Sequence, residues 1–100
     1  MHIHNVYFWL NKELKNEDTL SFEGGLQSLT EASEVQTGHF GKPASTEARD
    51  VVDNSYTYGL VLCFLDNDAH NSYQSSDAHQ AFVENHATKW DRVTVYDMQT

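Results

Sequence analysis

One cysteine, one proline and six basic side chains are all that this 100-residue sequence holds of three residue classes that often announce a function. A lone Cys63 excludes an intrachain disulfide and leaves a thiolate metal site without sulfur partners. It lies inside the apolar stretch Tyr58 to Leu65 (YGLVLCFL), where it reads as a small buried hydrophobe in a reducing compartment, and a cytoplasmic location is expected. Against 6 Lys and Arg stand 15 Asp and Glu, a formal charge of -9. Such a surface repels phosphate backbones and anionic lipid, so neither nucleic acid nor a membrane is an expected partner. The same apolar stretch is about a third of the length that a membrane-spanning helix needs. The N-terminus lacks the basic region and apolar run of a secretion signal. No internal repeat or interdomain linker is visible, and residues 1–100 read as one domain, a size at which roughly a third of the unfolded chain's surface stays wet.

What the sequence does contain is alternation. From His2 to Leu10 the residues His2, His4, Val6, Phe8 and Leu10 face one way and Ile3, Asn5, Tyr7 and Trp9 the other, which predicts a strand with two largely apolar faces. Asn16 to Ala32 reads as a helix, with Glu17 and Asp18 near its start and Phe22, Leu26 and Leu29 on one side. Gly24 and Gly25 argue against it by propensity, or mark close packing. A second strand is predicted over Val35 to Lys42, then a polar loop through Ser55, then a third strand over Tyr56 to Leu65. Asp66 or Asn67 is placed to cap a short helix through Tyr73, and a longer helix is predicted from Asp77 to Trp90, turning Ala78, Phe82 and Trp90 inward. Arg92 to Asp97 is the last strand. The order predicts an α+β fold, a four-stranded antiparallel sheet with helices on one face. Nothing remains to cover the other face, where Tyr7, Trp9, Val61 and Leu65 would form an apolar patch, so a homodimer joined through the sheet faces is expected.

Several stretches, in order, resemble the stress-responsive A/B-barrel (Dabb) family: HNVYFWL, GHFGKP, YTYGLVLCF, SYQSSDAHQAF and the terminal W-x-R-V-x-V-Y-D. The resemblance spans nearly the whole chain and implies a ferredoxin-like fold assembled into a dimeric α/β barrel. It does not fix an activity, because related barrels include polyketide cyclases, small monooxygenases and isomerases. In the cyclase branch a Tyr and a His six residues later form an acid/base pair, matched here by Tyr73 and His79, and a first-strand His is matched by His4. Two departures stand out. Ser76 and Asp77 replace the family's His-Pro, and Tyr58 stands where the cyclases have a third-strand His. On this carry-over the pocket is lined by His4, Val6, Phe8, Tyr58, Leu60, Leu62, Phe82, Trp90 and Val95 around Tyr73 and His79.

Two functions from different classes follow. One is a ligand-binding dimeric barrel of unassigned activity, its pocket holding a small apolar or aromatic molecule. The other is a cyclase-like lyase, with His79 removing a proton from a carbon acid and Tyr73 donating a hydrogen bond to the enolate oxygen. Neither asks for a cofactor. His2 and His4 face the same way, as two ligands of one metal ion do, but tetrahedral zinc takes four ligands and the sequence offers no compact motif such as H-E-x-x-H. No metal is therefore expected: His2 reads as a peripheral imidazole at a frayed strand start, His4 as a pocket residue, and His70 as lying elsewhere.

Overall fold

The computed structural model describes residues 1–100. Strand β1, His2–Leu10, turns His2, His4, Val6 and Phe8 to a buried face, as period-two alternation requires. It runs between β3, Tyr58–Phe64, and β4, Trp90–Gln99, with β2, Thr37–Gly41, beyond β3 at one edge, so the sheet order is β2-β3-β1-β4. Every pairing is antiparallel. Register places Leu62 and Asp97 on either side of His4, Leu60 and Val95 beside Val6, and Tyr58 and Val93 beside Phe8. The expected α+β architecture, with helices on one face of a four-stranded sheet, is the one observed.

Helix α1, Asn16–Thr30, buries Phe22, Leu26 and Leu29, the stripe that spacings of four and three put on one side. Burying each such side chain is worth about 1.5–3 kcal/mol, which outweighs the propensity cost of two glycines. Two polar caps start the next helices. The Asp66 carboxylate accepts from the Ala69 amide at 2.9 Å to open α2, Asn67–Gln74, and the Ser76 hydroxyl accepts from the His79 amide at 3.2 Å to open α3, Asp77–His86. Ser76 thus caps its helix.

Three expectations change. The long second helix stops at His86 and tightens into a 3-10 turn, Ala87–Lys89, so Trp90 opens β4 rather than closing a helix. Its ring still reaches the core, 5.2 Å from that of Phe8 and stacked 6.0 Å from Phe82. Ala78 is exposed, and His79 and Phe82 carry the inward face of α3. Cys63 is half-buried on the outer face of β3 opposite Ile3, because the inward positions belong to Leu62 and Phe64.

The outer sheet face is partly covered by the segment before β3. The Tyr56 ring lies 5.0 Å from Tyr7, the Trp9 indole donates to the Ser55 hydroxyl at 3.0 Å, and the Arg92 guanidinium stands 4.1 Å over Trp9. Tyr96 at 63 %, Met98 at 54 % and Leu65 at 64 % remain exposed, leaving the rest of that face apolar and open. No helix is long and apolar enough to cross a membrane.

Candidate functional site

The helices sit off-centre. Helix α1 packs over β2 and against α3, while no helix closes over the inward residues of β4, and Val93 and Val95 stay 41 % and 46 % exposed. A cavity of about 190 Å³ opens on that side. Its wall is His4, Val6 and Phe8 of β1, Leu60 of β3, Leu29 of α1, Tyr73 and Gln74 of α2, His79, Phe82 and Val83 of α3, and Trp90, Val93 and Val95 of β4. Nine of the residues expected from the sequence therefore meet around one space. Tyr58 and Leu62 do not line it. Both point inward, but β3 lies beneath α1: the Tyr58 ring packs 5.6 Å from Phe22 with its hydroxyl donating to Glu23, and Leu62 is fully buried against Gly38. Of the lining residues not foreseen, Val93 was legible from its alternation with Val95 and Leu29 from the α1 stripe, whereas Gln74 and Val83 carried no signal.

Tyr73 and His79 come together as the cap at Ser76 turns α2 into α3. Their rings meet edge to face at 5.1 Å, and His4 stands 6.2 Å from Tyr73. Burial, reinforced by the nearby imidazoles of His4 and His70, holds the His79 imidazole below its ordinary value despite a hydrogen bond with the Gln74 backbone. Burial and then the Glu34 charge raise the Tyr73 phenol. The pair therefore presents a neutral imidazole and a protonated phenol, the states that a general base and a hydrogen-bond donor require.

Beside this cavity lies a polar cluster that sequence reasoning did not assemble. His2 is only 8 % exposed and His4 3 %, so the reading of His2 as peripheral is corrected. His2 Nε2 and His4 Nδ1 both reach Oδ1 of Asp97, at 2.9 and 2.6 Å. His70, expected elsewhere, stacks on His2 with ring centroids 4.1 Å apart, because α2 folds back over the strand end. Burial pushes the Asp97 carboxyl up, but the bonds from His4 and His2 outweigh it and hold the group below its usual range. Burial likewise opposes protonation of both histidines. It prevails at His4, which is lowered, and yields at His2, which the bonds to Asn67 and Asp97 raise.

A four-stranded antiparallel sheet in this order, with its helices on one face, defines the ferredoxin-like class of α+β proteins, and solved structures agree. A hydroxynitrile lyase from Passiflora edulis superposes with a TM-score of 0.81 at 14% identity, covering 97% of this chain and 90% of that one. A dimeric ferredoxin-like protein from Thermobifida fusca gives 0.79 at 16% identity, covering 99% and 90%. A Dabb family protein from Mesorhizobium loti gives 0.78 at 19% identity, covering 99% and 95%. At these identities the likeness shows the fold. No curated protein matches the chain in sequence. The stress responsive A/B barrel domain family matches residues 3–100, and the chain belongs to it.

Proposed function

We propose that the chain works in the cytoplasm as a homodimer, joined through its outer sheet faces, whose inner cavity binds a small apolar or aromatic molecule. The observation that carries this reading is the cavity, walled mostly by apolar side chains with His4, Tyr73, Gln74 and His79 as polar points. Its volume, about 190 Å³, is larger than the apolar cavity of about 150 Å³ that accepts benzene, so one ring or a short acyl chain fits inside it. The exposed Tyr96 and Met98 supply a self-complementary face for the dimer, in keeping with the dimeric relative from Thermobifida fusca.

Titrating phenol into the protein should raise the unfolding midpoint and quench fluorescence from Trp90. Val95→Phe, which fills the cavity mouth, should weaken binding at least about tenfold, or about 1.4 kcal/mol. Equal binding by both proteins would refute the site. Sedimentation at micromolar concentration should give a dimer, and a monomer there refutes the assembly.

A second reading rests on the Tyr73 and His79 contact. With His79 as base and Tyr73 as donor to the oxygen of the nascent enolate, the cavity would carry out lyase chemistry on a small carbon acid, and the hydroxynitrile lyase from Passiflora edulis shows that this fold supports a lyase. Tyr73→Phe and His79→Ala should each lower turnover of such a substrate by about 10²–10⁴-fold. Unchanged turnover in both removes the acid/base roles.

A further inference from the structure

We propose that His2, His4, His70 and Asp97 bind a divalent transition-metal ion, with Asn67 and Asn71 orienting two of the imidazoles. One ligating atom from each of the four lies within 4.8 Å of every other. Tetrahedral zinc holds nitrogen and oxygen ligands at about 2.0–2.2 Å, which puts ligand atoms about 3.5 Å apart, so shifts of about 1 Å close the set. Three imidazoles and one carboxylate, with no thiolate, suit Zn²⁺. An all-oxygen ion such as Ca²⁺ or Mg²⁺ finds too few oxygens here.

The hydrogen bonds around the cluster carry the inference further. His2 Nδ1 stands 2.6 Å from Asn67 Oδ1, and the Asn67 amide nitrogen donates to Gln99 Oε1 at 3.5 Å, which fixes the amide with its oxygen toward the ring. The Nδ1–H therefore donates to Asn67 while the Nε2–H donates to Asp97 Oδ1, and an ion binding at Nε2 takes the place of that second proton. His70 repeats the arrangement: its Nδ1 lies 3.1 Å from Asn71 Oδ1, and its Nε2 is buried with no hydrogen-bond partner. A buried nitrogen left unpaired carries an uncompensated desolvation cost, and a metal ion at its lone pair removes that cost. Metal-ligating histidines characteristically donate their other N–H to an oxygen that sets tautomer and ring orientation, and Asn67 and Asn71 occupy that position. Asp97 Oδ1 is already shared between His2 and His4, so an ion entering there replaces two hydrogen bonds with coordinate bonds to the same three groups. The residues come from three elements, β1, α2 and β4, which hold them without a local motif.

The test uses the full chain with any histidine tag removed, stripped with a chelator and titrated with Zn²⁺ by calorimetry. One zinc per chain with a micromolar or tighter Kd is expected. His70→Phe and Asp97→Asn should each weaken binding at least about tenfold, and Asn67→Ala by about 10–100-fold. His86→Gln, at the C-terminal end of α3 and packed against Phe22 and Phe82, should leave the affinity unchanged. Because a variant can lose its fold, the wild-type chain is also loaded with Co²⁺: strong visible bands of tetrahedral cobalt are expected, and a weak octahedral spectrum overturns the site. Failure of the wild type to bind Zn²⁺, or undiminished binding by both His70→Phe and Asp97→Asn, overturns it too. Phenol and zinc are separate readouts, so loss of one site leaves the other standing.

Discussion

Substituting each of the adjacent glycines of α1 by alanine should have unequal effects, with Gly24→Ala raising stability and Gly25→Ala failing to. Neither glycine has a positive φ, so alanine suits the backbone at both and brings the same propensity gain of up to about 1 kcal/mol. At Gly24 an added Cβ meets nothing within 4 Å, and the gain is realised. At Gly25 the Cβ would stand 2.6 Å from His86 Nε2, 2.9 Å from its Cδ2 and 3.1 Å from Phe82 Cδ1. His86 has little room to yield. Its ring lies 5.7 Å from Phe22 and 5.1 Å from Phe82, and Lys89 Nζ donates to its Nδ1 at 3.0 Å. Overpacking of this kind costs about 1–3 kcal/mol, so Gly25→Ala ends between no change and a loss of about 2 kcal/mol. The two variants differ by that same overpacking cost. Urea unfolding at one fixed protein concentration measures it, and the midpoints should separate by several degrees on heating, at about 4–8 °C per kcal/mol. Adding His86→Ala to Gly25→Ala should recover part of the loss. If Gly25→Ala is as stable as Gly24→Ala, the contact between α1 and α3 is not tight, and the packing that positions Phe82 in the cavity wall is misread.

Ser76→Ala removes the hydroxyl that accepts from the His79 amide and should cost about 1 kcal/mol, with faster amide exchange confined to the first turn of α3; unchanged exchange there refutes the cap. Leu62→Ala empties a fully buried position and should cost about 2–5 kcal/mol in urea unfolding, and a loss below 1 kcal/mol would mean that β3 is not held beneath α1 as described. Burial, and then the Lys89 ammonium, hold the His86 imidazole below its ordinary value. The unfolded chain therefore takes up a proton that the folded chain refuses: stability is full above about pH 6.5 and falls as pH drops from there through the folded value. His86→Gln should flatten that part of the stability curve, and an unaltered slope removes His86 as its cause.

Much of the fold follows from short-range pattern. Two-residue alternation marks β1 and β3, and a stripe at spacings of four and three marks α1, because burial of those faces dominates the local energy. The ends of elements were less legible. Nothing in the run from Asp77 to Trp90 signals that the helix tightens after His86, since Trp90 serves the core equally well from the first residue of a strand. The lining of the cavity divides in the same way. Val6, Phe8 and Val95 follow from which face of each strand is inward. Tyr58 and Leu62 face inward too, yet lie outside it, because the placement of α1 over β2 and β3 is a packing outcome that no single strand encodes.

The histidines mark the boundary most sharply. By itself the sequence determined that His2 and His4 share a face, since side chains two apart on a strand must do so. Only the tertiary structure decided that they have company: Asp97 is 93 residues from His4 and meets it through antiparallel register, and His70 reaches His2 because α2 folds back across the end of the sheet. Two imidazoles on a strand are a periodicity, which the chain carries in its order. Four converging donors are a geometry, and that exists only once β1, β4 and α2 have packed.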